Sequence, residues 1–171
     1  MNDKWVASNG TNSNFSFDGE TTLTLSKSIS ELQNQGWIVN KNGVNILTTK
    51  HDAAEAQWGG DWRMPTKSEW EDIDSKCDWL WTTKNGVYGY LVRGRGDYSS
   101  ASIFLPCTGY GCGALLEDLG SHGYYWSSVP CPDYNHAWYL EFYPAYPSTD
   151  SSPRYCGQSI RPVQDVAKQQ V

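Results

Sequence analysis

Pro65-Thr66-Lys67-Ser68-Glu69-Trp70, then Trp79-Leu80-Trp81-Thr82-Thr83, Lys84-Asn85-Gly86 and Val87-Tyr88-Gly89-Tyr90-Leu91-Val92, form the stretch on which the fold reading turns. Thr66 and Glu69 have capping-box spacing: the hydroxyl and the carboxylate can each satisfy an orphan amide where a helix begins. Beyond them Trp70, Ile73 and Cys77 recur at i, i+3 and i+7, so one face of that helix should bury against a sheet. Two runs of aromatic and β-branched residues around Asn85-Gly86 then predict a β-hairpin. Strands and short helices alternate without the long crossover helices of a parallel sheet, which points to an α+β fold.

Reading outward towards the N-terminus, Trp37-Ile38-Val39 and Val44-Asn45-Ile46-Leu47 flank Asn40-Lys41-Asn42-Gly43 and predict a second hairpin. Between the hairpins, Thr49 is placed to cap a helix from Lys50 to Gln57, with Asp52 in its first turn and Gly59-Gly60 stopping it. Ser28-Ile29-Ser30-Glu31 has capping-box spacing again and predicts a short helix carrying Leu32 and ending at Gly36. Residues 1–20 have Trp5, Val6, Phe15 and Phe17 as their main apolar content and read as a peripheral strand and a polar arm. Towards the C-terminus come a polar loop from Arg93 to Ser100, a short buried strand Ser102-Ile103-Phe104-Leu105 stopped by Pro106, and an irregular Gly-rich stretch over 107–123.

The whole chain is compatible with one core. Its 171 residues include nine Trp and eleven Tyr, while the mean hydropathy is −0.60, so the apolar load sits in large aromatics rather than aliphatic runs. No stretch approaches the ~18 consecutive apolar residues of a membrane span, so no direct membrane insertion is expected. The first residues also lack the basic and apolar parts of a signal peptide. A net charge of −6 with thirteen dispersed Lys and Arg argues against nucleic-acid binding, which needs a basic face. Of the five Cys, Cys107 and Cys112 flank a Gly-containing turn and could pair, though spacing alone does not decide it.

Residues 129–157 stand apart. They hold five of the eleven Tyr and five of the eight Pro, and no Lys, Met or Gln. Tyr supplies contact area at little entropic cost and Pro stiffens the loops that present it, so the segment reads as a recognition surface. Gly123-Tyr124-Tyr125-Trp126-Ser127-Ser128 on one side and Ser159-Ile160-Arg161-Pro162-Val163 on the other read as strands that clamp it. Within it Trp138, Leu140 and Phe142 alternate with Tyr139, Glu141 and Tyr143, so a strand could bury the first set and show the second.

Five runs together carry a family resemblance: His51-Asp52-Ala53-Ala54, Trp58-Gly59-Gly60-Asp61-Trp62-Arg63-Met64-Pro65-Thr66, Ser102-Ile103-Phe104-Leu105-Pro106, Gly123-Tyr124-Tyr125-Trp126-Ser127-Ser128 and Ile160-Arg161-Pro162-Val163. Their order and spacing over 46–163 resemble the bacterial FISUMP family, whose members are similar to C-type-lectin-fold proteins. The resemblance implies a C-type-lectin-like body over 46–171, with two short helices flanking a small antiparallel sheet and long loops projecting from one side. Residues 1–45 would be a peripheral N-terminal arm with the first strands. A narrower resemblance is to the variable proteins of diversity-generating retroelements, where a template mutated at adenines rewrites a C-terminal segment. Asn codons of the form AAY, so mutated, never yield Lys, Glu, Gln, Met or Trp. Residues 129–157 contain only Trp138 and Glu141 from that set, against about six expected from the rest of the chain.

These readings predict a non-enzymatic binding domain whose contacts come from Asp133, Tyr134, Tyr139, Tyr143, Tyr146, Ser148, Asp150, Ser152, Arg154 and Tyr155. Its expected partner is a protein or glycan ligand on a cell surface, its expected location the cell surface or a virion, and no cofactor or metal is expected. The second reading is a structural or adhesive surface module without a diversified site. The third is an oxidase like the formylglycine-generating enzymes, suggested by Cys107 and Cys112 but without that family's flanking motifs. The Glu-Pro-Asn, Gln-Pro-Asp and Trp-Asn-Asp motifs of calcium-dependent lectins are absent. His51, His122 and His136 lack metal-ligand spacing. Trp58, Trp62, Trp70, Trp79, Trp81 and Trp126 are assigned to core packing, and Arg95-Gly96-Asp97 to chance.

Overall fold

A computed structural model describes residues 27–112, 115–133 and 135–165, together with the backbone of three short N-terminal strands. Those strands are β1 (Val6–Ala7), β2 (Phe15–Phe17) and β3 (Glu20–Thr22), paired antiparallel in the order β1-β2-β3. The side chains of Trp5, Val6, Phe15 and Phe17, on which the N-terminal expectation rested, lie outside the described residues.

The local signals produce the elements they encode. Helix α1 (Ile29–Asn34) starts in a complete capping box between Ser28 and Glu31 and buries Leu32. Strands β4 (Ile38–Lys41) and β5 (Val44–Leu47) are joined through Asn42 and Gly43, both at positive φ, as a two-residue hairpin turn requires. Helix α2 (Ala53–Trp58) begins later than Lys50 because Asp52, not Thr49, is its cap, and β6 (Trp62–Arg63) follows. Helix α3 (Lys67–Lys76) carries the Thr66–Glu69 capping box and presents Trp70, Ile73 and the following Cys77 to the core.

Strands β7 (Asp78–Lys84), β8 (Val87–Arg93) and β9 (Ser102–Pro106) form one antiparallel sheet, with Asn85 and Gly86 at positive φ in the β7–β8 turn. A small hairpin of β10 (Tyr110–Cys112) and β11 (Leu115–Glu117) occupies the stretch expected to be irregular. A second three-stranded sheet is built from β12 (Gly123–Pro130), β13 (His136–Tyr143) and β14 (Tyr146–Pro153), in that order. Finally β15 (Val163–Gln164) pairs with β6.

The core lies where these two three-stranded sheets and α3 meet. Trp70, Tyr90, Val92, Leu105, Cys107, Tyr125, Leu140 and Phe142 form one buried cluster, flanked by Ile73, Cys77, Trp79, Trp81 and Ile103. Its contacts are largely ring on ring: Trp79 to Tyr90 at 5.3 Å, Tyr90 to Phe142 at 5.5 Å and Tyr125 to Phe142 at 5.8 Å between centroids. Such pairs add to the burial of their area.

The expected α+β, C-type-lectin-like body, two short helices flanking one small antiparallel sheet with long loops, is overturned. Among the described residues the chain is mostly β, with three α-helices and several small antiparallel sheets. The reason is visible in residues 129–157, where Pro, Ser and Tyr suggested loops. There β13 and β14 run eight residues each. Pro147 and Pro153 are tolerated because β14 is an edge strand, on which an imino nitrogen need not donate to a neighbour. The clamping strand expected at Ser159–Val163 is also reduced: Ser159 makes a single parallel bridge to Tyr125, and Val163 enters β15. Trp58 corrects a third expectation, being 61% exposed at the end of α2 with its ring edge-on to Trp62 at 5.4 Å.

Candidate recognition face

Strand alternation divides the β12–β13–β14 sheet into two chemically different faces. Register pairs Tyr125 with Leu140, and Gly123 with Phe142; this face belongs to the buried core. The opposite face collects the other parity: Tyr124 beside Glu141, Trp126 beside Tyr139, Asp150 beside Tyr139, Ser148 beside Glu141, and Tyr146 beside Tyr143. Six of the candidate residues, Tyr139, Tyr143, Tyr146, Ser148, Asp150 and Ser152, therefore share one surface.

Rings run continuously across that surface. Trp126 meets Tyr139 at 5.9 Å, Tyr139 meets Tyr124 at 5.9 Å, and Tyr124 stacks on His122 at 6.0 Å. His122 then meets Tyr143 at 5.2 Å, and Tyr143 meets Tyr146 at 5.1 Å. Tyr110 from β10 closes over Tyr124 at 4.9 Å, so the small hairpin roofs part of the face. Depth changes along the row. Tyr124 and Tyr139 are 8% exposed, whereas Tyr146, at the β13–β14 turn, is 53% exposed.

The buried hydroxyls are paired with carboxylates. Tyr124 donates to Asp118 Oδ2 at 2.9 Å, and Tyr139 donates to Glu141 Oε2 at 3.2 Å. Burial is the chief cause that pushes both phenols above their ordinary range, and the neighbouring carboxylates add to it. At the outer end Tyr143 is raised chiefly by its hydrogen bond with Tyr146. The face thus combines aromatic rings, hydroxyls and the carboxylates of Glu141, Asp150 and Asp118, with Tyr146 and Asp150 its exposed members.

The remaining candidates lie elsewhere. Asp133 and Tyr155 sit in loops at the other end of the β13–β14 pair, where His136 faces Pro153. Asp133 accepts from the Cys131 thiol at 3.8 Å. Arg154 is held structurally: its backbone N–H donates to Asn135 and its guanidinium to the Lys27 carbonyl at 2.9 Å. Tyr134 lies outside the described residues. Sequence reasoning missed Tyr110, His122, Tyr124 and Trp126; the period-two placing of Tyr124 and Trp126 in the run before the segment was the available signal.

Other features bear on alternative chemistries. An open groove of about 510 Å³ lies between β9 and the β7–β8 turn, lined by Lys84, Ser102, Phe104 and Arg161 among others, and includes none of the ten candidates. Among the described residues no cluster of three or more His, Cys, Asp or Glu is arranged to hold a metal ion. All five cysteines are free thiols, and burial pushes Cys107 up to about 11, away from the thiolate a nucleophile needs. Arg95 of the Arg-Gly-Asp tripeptide is tied to Asp78 at 2.6 Å and to the Ser75 carbonyl. No described helix is long and apolar enough to cross a membrane.

No curated protein and no solved structure matches the chain. A family match covers residues 26–163, from just before α1 to the start of β15. By that match the chain belongs to the DUF8237 family, a domain of unknown function.

Proposed function

We propose that this is a ligand-binding domain that meets a protein or glycan partner on a cell surface through the aromatic face of β13 and β14, and that this face is diversified. The observation that carries the reading is the shared parity of Tyr143, Tyr146, Ser148, Asp150 and Ser152 on a hairpin whose other parity supplies Leu140 and Phe142 to the core. A face built this way can change its side chains without disturbing what holds it. The near absence of Lys, Glu, Gln, Met and Trp from 129–157, and the likeness to adenine-mutated variable proteins, support the same reading. Aromatic burial supplies affinity, and the hydroxyls with Asp150 and Glu141 supply selectivity, favouring partners that bring cationic or hydrogen-donating groups.

Sequencing this gene from many cells or virions of one source population tests the proposal. The expected result is substitution concentrated at codons 143, 146, 148, 150 and 152 and sparing 140, 142, 147 and 149. Invariance at both sets overturns diversification and leaves a fixed adhesive module as the better reading.

A further inference from the structure

Cys107 and Cys112 were the pair the sequence suggested, but the fold sets Cys112 against a different partner. Gly111 donates its N–H to the Gly157 carbonyl at 2.7 Å, and Gly157 returns the bond to Gly111 at 2.8 Å, in an isolated antiparallel bridge. Two residues that exchange both bonds are the hydrogen-bonded pair of an antiparallel ladder. The next residues outward, Cys112 and Cys156, then stand as a non-hydrogen-bonded pair, in which Cα atoms approach to about 4.5 Å and side chains lie on the same side. That separation falls inside the roughly 4.4–6.8 Å window of disulfides. The other cysteines are placed elsewhere: Cys107 in the core cluster, Cys77 beside it after α3, and Cys131 against Asp133.

We propose that Cys112 and Cys156 are a redox pair that closes to a disulfide and clips the β10–β11 hairpin to the segment following β14. Cys112 is partly exposed and Cys156 is 8% exposed, so Cys112 is the entry point. With a small disulfide as oxidant, the Cys112 thiolate attacks one of its sulfurs, forming a mixed disulfide and releasing one thiolate. The Cys156 thiolate then attacks the Cys112 sulfur and releases the second. Two protons leave the protein thiols, and two electrons reduce the oxidant to two thiols. Burial holds the Cys156 thiol above its ordinary range, a hydrogen bond with Ser152 opposes this, and the Cys112 sulfur adds to it, so closure accelerates at mildly alkaline pH. The clip stands on the bridge geometry and does not depend on the recognition reading. Its consequence for the face is direct, since the clipped hairpin carries Tyr110 over Tyr124.

The test is to equilibrate the whole chain with excess oxidised glutathione at mildly alkaline pH, alkylate the remaining thiols, and map the unreduced digest by mass. The expected product links Cys112 to Cys156, leaves Cys77, Cys107 and Cys131 alkylated, and opens with dithiothreitol. C112S should abolish the link, while C107S should retain it. Alkylated Cys156 in the oxidised folded chain, a stable mixed disulfide on Cys112, or a bridge from Cys156 to any other cysteine overturns the proposal. The readout is made first on the native sequence, so it does not require either variant to fold.

Discussion

Gly123 and Phe142 show how closely single residues are fitted. They face each other across β12 and β13, and a methyl group at Gly123 would sit 2.1 Å from Phe142 Cζ. Phe142 is fully buried and hemmed by Tyr125, Tyr90 and Trp79, so the ring cannot swing away. Gly123→Ala should therefore cost about 1–3 kcal/mol by overpacking. In the same background Phe142→Leu should cost less than it does in the native chain, because it vacates the space the methyl needs. Urea denaturation of the two single variants and the double variant measures that coupling, and strict additivity would show the contact to be soft.

At the scale of elements, short-range signals were legible and long-range partners were not. The capping boxes at Ser28 and Thr66 and the Asn-Gly turns each act within four residues, and the chain formed what they specified. Asp52 shows the limit. From sequence it belonged to the first turn of a helix capped by Thr49, whereas its carboxylate accepts from Ala54 at 2.9 Å, from Glu55 at 3.1 Å and from the Met64 amide at 2.9 Å. The Met64 bond spans twelve residues and ties α2 to the segment after β6, which no local pattern encodes. Asp52→Ala should destabilise by roughly 2–4 kcal/mol, since it removes a cap and strands a buried amide. Asp52→Asn, which keeps one acceptor, should cost less; equal losses in thermal melts would contradict the assignment. The candidate face was legible to a similar degree. Alternation along β13 was readable, but the polar composition of β14 hid a strand that only its pairing with β13 reveals.

Over the whole molecule, the packed phenols and thiols tie stability to alkaline pH. Tyr124, Tyr125 and Tyr139 are all raised, burial being the first cause in each case. The folded chain keeps these protons where the unfolded chain, with phenols titrating near pH ~10, releases them. Their contribution is fully present below that pH and falls as pH rises through the folded values, by up to about 1.4 kcal/mol per pH unit for each group. Cys107 adds an earlier loss, from its ordinary 9.0 to about 11. The urea midpoint should hold steady near neutrality and then drop steeply above about pH 9, with the phenolate absorbance of these residues appearing only as the chain unfolds. Full phenolate absorbance from a chain with native circular dichroism would refute it.

The two-faced β13 strand also constrains how this gene can change. Because parity assigns each codon from 136 to 143 to the face that carries Leu140 and Phe142 or to the opposite face, point substitution at alternate codons rewrites one face and leaves the other intact. A one-codon insertion or deletion in the same stretch would exchange the two, turning Tyr139 and Glu141 towards the core cluster and Leu140 and Phe142 onto the opposite face. Heritable novelty on this face is thus open to base replacement and closed to length change within the strand, while the Tyr143–Tyr146 turn is the place where added length would leave the alternation undisturbed.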